Sequence, residues 1–115
     1  MAKVNYIEMP VKDVAGARDF YGKAFGWSFA SYGPDYAAME GTDVAVGLNG
    51  SDDHAIPQLL ALVEVEDLEG ALESVVAAGG SVTVPIFAFP GGRRFHFRDP
   101  AGNELGVFVN EPGQH

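Results

Sequence analysis

The stretch Val11-Lys12-Asp13-Val14-Ala15-Gly16-Ala17, running on to Ala24-Phe25-Gly26, returns later in the chain as Val65-Glu66-Asp67-Leu68-Glu69-Gly70-Ala71, running on to Ala78-Gly79-Gly80. At an offset of 54 residues, Val11, Asp13, Gly16, Ala17, Ala24 and Gly26 each meet an identical residue, six matches within sixteen positions. Each copy reads as a strand end, an aspartate N-cap, a helix and a glycine stop. Ahead of the first copy, residues 4–11 alternate as a strand, with Ile7, Met9 and Val11 on one face and Tyr6 and Glu8 on the other. Residues 15–25 predict a helix whose stripe of Ala17, Phe20, Tyr21, Ala24 and Phe25 faces a sheet. Strands are expected at 27–32, 36–40 and 44–49, divided by Gly33-Pro34-Asp35 and Gly41-Thr42-Asp43.

The same order then repeats. Residues 59–65 predict a strand, 68–78 a helix, and 81–87, 93–98 and 104–110 three further strands. The reading is an α+β fold of two β-α-β-β-β modules. Module one spans 1–50, a polar linker 51–57, and module two 58–115, together forming one domain. One such module cannot bury both its helix stripe and its sheet, so the two are expected to pair. Their curved mixed sheets would enclose a cleft, with the helices outside.

The composition agrees with a single packed domain. The chain has 115 residues, 47% hydrophobic and 20% charged, which excludes a disordered chain. Seven Lys and Arg against sixteen Asp and Glu give a net charge of −9, which repels phosphate backbones and anionic lipid. Nucleic acid and membrane are therefore not expected as partners. No apolar run approaches the roughly 20 residues of a membrane-spanning helix, and the chain opens directly into a strand pattern rather than a secretory signal. With no cysteine there is no disulfide framework and no thiolate nucleophile, so the expected location is the cytoplasm.

Paired modules of this order resemble the vicinal oxygen chelate superfamily of glyoxalase I, bleomycin-resistance proteins and extradiol dioxygenases. The matching residues are Val11-Lys12-Asp13-Val14, Asp19-Phe20-Tyr21, Phe25-Gly26-Trp27, Ala78-Gly79-Gly80 and, most specific, Asp99-Pro100-Ala101-Gly102-Asn103. The metal enzymes of that superfamily take one ligand from the first and last strand of each module, usually His, Gln or Glu. By resemblance those positions fall on Tyr6, Gly47, Leu60 and Gly106. Leucine and glycine side chains cannot coordinate, and a lone phenol anchors a divalent ion poorly. The expectation is a member without a metal or other cofactor. The resemblance also implies a homodimer, as do a small core and open sheet edges.

Strand alternation supplies the polar groups of the expected cleft. Phe95 and Phe97 share one face of their strand, so Arg94, His96 and Arg98 take the other. Leu105, Val107 and Val109 take the helix side, leaving Glu104, Gly106 and Phe108 opposite. The concave surface then holds Tyr6, Glu8, Leu60, Leu62, Arg94, His96, Glu104 and Phe108. Counting ten residues back from Gly47, as His96 lies ten before Gly106, puts Ala37 opposite His96 in the repeat and leaves module one with small or apolar groups. His96, at a position where the dioxygenases by resemblance place an acid–base tyrosine, could move a proton, with Glu8 or Glu104 orienting it and Arg94 holding a carboxylate.

Three functions stay open. One is metal-independent binding of a small organic molecule through Tyr6, Leu60, Leu62, Arg94 and Phe108. Another is a lyase or isomerase using His96, Glu8 and Glu104. The third relocates a metal onto those three residues. Other features point elsewhere. Pro90-Gly91-Gly92-Arg93-Arg94 lacks the following helix of a phosphate loop and reads as a flexible loop. Trp27, Phe29 and Tyr36 read as core aromatics, His54 and His115 as solvated, and no serine has a nucleophile-elbow context.

Overall fold

The computed structural model describes residues 2–51 and 58–111, so most of the expected linker, His54 and His115 lie outside the described residues. The elements are β1 (Lys3–Pro10), α1 (Val14–Phe25), β2 (Phe29–Ser31), β3 (Tyr36–Met39), β4 (Ala45–Asn49), β5 (Leu60–Glu64), α2 (Leu68–Ala77), β6 (Ser81–Phe89), β7 (Gly92–Arg98) and β8 (Glu104–Asn110). Two compact units result: Asn5–Leu60, and the remainder, in which the residues up to Val4 join those from Ala61 onward. In the first the strand order is β2-β3-β4-β1, with β1 and β4 parallel and the other pairs antiparallel. In the second the order is β5-β8-β7-β6, with β5 and β8 parallel and the rest antiparallel. Each unit is a β-α-β-β-β module with a mixed sheet, the α+β class read from the sequence.

The repeated Asp-x-x-Gly has a local cause. The Asp13 carboxylate accepts the Gly16 N–H at 3.1 Å, and Asp67 accepts that of Gly70 at the same distance. These bonds satisfy amides that the first helical turn leaves without partners. A Cβ on either glycine would press against the capping carboxylate, which is why glycine recurs at the same place. Gly26 then ends α1 in the left-handed region at φ 73°, donating its N–H to the Gly22 carbonyl.

The stripe of α1 is narrower than expected. Val14 is buried, and Ala17 and Tyr21 pack against the Ala37, Val46 and Leu48 cluster. Phe20 and Phe25 are instead 61% and 64% exposed. Phe20 lies off the Val14–Ala17–Tyr21 line and meets Tyr21 edge-on, while Phe25 leans on Trp27 at the helix end. In module two, Leu68, Phe95, Val107 and Val109 form the core beneath α2, with Phe97 packed against it.

The Asp99–Asn103 turn sets the register of the last hairpin. Asp99 accepts the backbone N–H groups of Ala101 and Asn103 at 2.9 Å and the Asn103 side-chain amide at 3.1 Å. Those bonds, led by the Asn103 side chain, hold its carboxyl below the usual range. Closing the turn there places Arg98 opposite Glu104 and His96 opposite Gly106. Residues 90–94, expected as a flexible loop, form a tight hairpin into β7. Its Arg93 is clamped by Glu111 at 2.8 and 2.9 Å and by Glu69 at 2.5 Å.

Candidate functional site

Module two brings Arg94, His96 and Glu104 to one face of its sheet, as alternation requires when Phe95 turns into the core. His96 is 0% exposed. The Arg94 Nε–H donates to His96 Nε2 at 3.2 Å, so the imidazole presents a lone pair there and carries its proton on Nδ1. His96 Nδ1 in turn lies 3.9 Å from Glu104 Oε2. Glu104 is itself fixed by the Thr83 hydroxyl at 2.8 Å and by Arg98 at 3.3 Å. The Arg94 guanidinium sits 5.4 Å over the ring of Phe87, whose edge also meets His96.

Phe87 could not be placed by counting. Register shifts between Val82 and Val84 and again between Val84 and Phe87 break the alternation of β6 and bring Phe87 opposite Arg94. Phe108 pairs with Arg94 across the β7–β8 ladder, and Leu60 and Leu62 are buried.

Module one is polar where small groups were expected. Ala37 belongs to the helix-facing cluster, because the register pairs Ala38, not Ala37, with Gly47. The residue pairing with β4 as Arg94 pairs with β8 is therefore Tyr36, set opposite Asn49. Tyr36 donates its hydroxyl proton to Glu8 Oε2 at 3.0 Å and lies 2.5 Å from the Tyr6 hydroxyl. Asn49 donates to the other Glu8 oxygen at 3.4 Å. Glu8 is buried at 5% exposure, so this carboxylate exchanges water for protein donors. Sequence reasoning missed Tyr36 and Asn49 through a slip of one residue in the β3–β4 register, which moves a side chain to the opposite face.

Burial first, then the charges of Glu8 and Tyr6, push the Tyr36 phenol well above its ordinary value of 10.0. Below about pH 10 both folded and unfolded chains keep this proton, and no stability change follows. Above it the unfolded chain loses the proton and the folded chain retains it, so stability falls by up to about 1.4 kcal/mol per pH unit. Tyr36→Phe should remove that slope. Urea denaturation on either side of about pH 10 is expected to show wild type losing stability faster than the variant, and parallel losses would refute the assignment.

The four positions assigned to a metal by resemblance do not suit one. A Cβ on Gly47 would overlap the hydroxyls of both Tyr6 and Tyr36, so any longer side chain has no room. At Gly106 a Cβ would meet Leu62 at 3.0 Å and His96 at 3.4 Å. Among the described residues no three His, Cys, Asp or Glu side chains form a group able to hold a metal ion.

Comparison with known proteins agrees with the fold and its motifs. Two proteins named "Putative glyoxylase CFP32", from Mycobacterium bovis and Mycobacterium tuberculosis, are each 27% identical over 90% of this chain. The chain spans only 44% of their length. The crystal structure of methylmalonyl-CoA epimerase from Mycobacterium tuberculosis superposes with a TM-score of 0.77 at 13% identity, covering 95% of this chain and 88% of that one. A glyoxalase/bleomycin resistance protein/dioxygenase superfamily member from Vibrio splendidus 12B01 gives 0.68 at 16%, covering 96% and 100%. At such identities the structures speak for the fold alone. A family model matches residues 3–107, and the chain belongs to the Glyoxalase/Bleomycin resistance protein/Dioxygenase superfamily.

Proposed function

We propose that this chain binds a small organic anion without a metal, through Arg94 on β7, with His96 acting as the residue that positions it. The observation that carries the reading is how Arg94 is held: its Nε is engaged by a fully buried histidine and its flat face by Phe87. A guanidinium fixed at two points loses little conformational freedom when it meets a carboxylate. Phe108, paired with Arg94, would supply apolar contact for the body of the ligand, alongside Leu62 on β5. The burial of His96 and the 3.9 Å gap to Glu104 favour this supporting role over proton transfer to a ligand.

The test is a thermal-shift screen of small carboxylates, followed by titration of the best one. Arg94→Ala is expected to weaken binding about ten- to hundredfold, the loss of one charged partner at roughly 1–3 kcal/mol. Arg94→Lys should recover little, since an ammonium cannot copy the planar fork. Added salt should weaken the wild type more than Arg94→Ala. Lys23→Ala, at an exposed cation paired with Asp19, serves as the control. Equal affinities for wild type, Arg94→Ala and His96→Ala, all folded, would overturn the proposal.

We also propose a homodimer. Large apolar side chains left outside each module, including Phe20, Phe25 and Val76, support it. Light scattering at micromolar concentration should give about twice the chain mass of 12.2 kDa, and the single-chain mass would refute it.

A further inference from the structure

We propose that Tyr6, Tyr36 and Glu8 form a proton-relay site in module one that takes a proton from a weakly acidic hydroxyl of the phenol or enol class. The site is separate from the Arg94 reading and does not depend on it.

The geometry fixes the direction of the relay. Tyr36 has one hydroxyl proton and gives it to Glu8 Oε2 at 3.0 Å. The 2.5 Å contact between the two phenols must then use the proton of Tyr6, with the Tyr36 oxygen accepting. Both protons point along the chain toward Glu8, whose other oxygen already accepts from Asn49. Exposure runs the opposite way: the carboxylate is buried and the two tyrosines are partly exposed. The buried Glu8 carboxylate is thus joined through two hydrogen bonds to two partly exposed tyrosines. Gly47 makes this possible, because its missing side chain leaves the space that both hydroxyls fill.

The step balances. A ligand O–H bond breaks and its proton passes to the Tyr6 oxygen as Tyr6 gives its own to Tyr36. Tyr36 gives its proton to Glu8 Oε2. The products are a ligand oxyanion, hydrogen-bonded by the renewed Tyr6 hydroxyl, and a neutral Glu8 carboxyl. No electrons are exchanged with a redox partner, and one negative charge moves from Glu8 to the ligand. The ligand class follows from the final acceptor: net transfer ends on the buried Glu8 carboxyl, so the hydroxyl that gives up its proton must be far more acidic than an alcohol, as enols and phenols with electron-withdrawing groups are.

The test uses p-nitrophenol, which absorbs in the visible only when ionised, with the intact chain buffered below the ionisation of the free probe. Binding is followed separately by equilibrium dialysis. Wild type is expected to bind the probe and develop the nitrophenolate band. Tyr36→Phe and Glu8→Gln should bind it without the band, and Tyr6→Phe gives the same loss should either of the others misfold. Glu40→Gln, which removes the charge from the exposed Tyr32–Glu40 pair, should leave the band unchanged. Wild type that fails to bind the probe, or binds it colourless, overturns the proposal. So does a band that persists in folded Tyr36→Phe.

Discussion

Replacing Phe95 with alanine is expected to lower the stability of the chain by about 3–5 kcal/mol, the usual cost of removing a buried aromatic ring. Phe95 is 0% exposed and packs with Leu68, Val107 and Val109, so the deleted ring leaves a cavity bounded by α2 and β8. A domain of this size has only about 5–15 kcal/mol in hand, and the melting temperature should fall on the order of 15 °C. Function should follow, because Phe95 lies between Arg94 and His96 in the strand and its burial is what turns both of them to the opposite face. Urea denaturation measures the loss. A cost below about 1 kcal/mol would mean that the site collapses around the gap and that β7 is anchored elsewhere.

That strand was legible because its two faces differ so sharply in chemistry. Phe95 and Phe97 against Arg94, His96 and Arg98 leave one way to lay the strand on a core, and the observed burial follows it. The helices were legible through their caps, since Asp13 and Asp67 do the same work in both copies. The Asp99–Asn103 turn was legible as a motif, and its reason is the set of bonds onto the Asp99 carboxylate.

What escaped the sequence was register. β3 is the short run Tyr36-Ala37-Ala38-Met39, with two adjacent alanines that fit either face. A slip of one residue there costs nothing in pattern and hides the Tyr36–Glu8 bond. In β6 two shifts interrupt the alternation, and the partnership of Phe87 with Arg94 depends on them. Phe20 and Phe25 failed for a different reason. Helical spacing places a side chain on a face, but only the extent of the neighbouring sheet decides whether that face is covered.

Gly47→Glu is expected to damage module one severely rather than create a metal ligand. The substitution restores a carboxylate at a position the superfamily resemblance assigns to one, so a metal-centred reading predicts a gain. The surroundings predict a loss. The first atom of any side chain at this position overlaps the hydroxyls of Tyr6 and Tyr36 and presses the Tyr6 ring at 2.8 Å, an overpacking cost of about 1–3 kcal/mol. The new carboxylate would also stand across the β1–β4 ladder from Glu8, putting two like charges where one is already buried. Gly47→Ala separates the steric part from the charge and should keep about 1–3 kcal/mol of the loss. In module two, where the counterpart of Tyr6 in the repeat is Leu60, a Cβ on the matching Gly106 meets nothing nearer than Leu62 at 3.0 Å. Tyr6→Leu combined with Gly47→Ala should therefore cost less than the two single changes together, by about 0.5–3 kcal/mol. Calorimetric titration of Gly47→Glu with Mn²⁺ or Ni²⁺ should show no tight binding. A stable, metal-binding Gly47→Glu chain, or strict additivity of the two smaller changes, would mean that the paired hydroxyls do not hold the space beside Gly47.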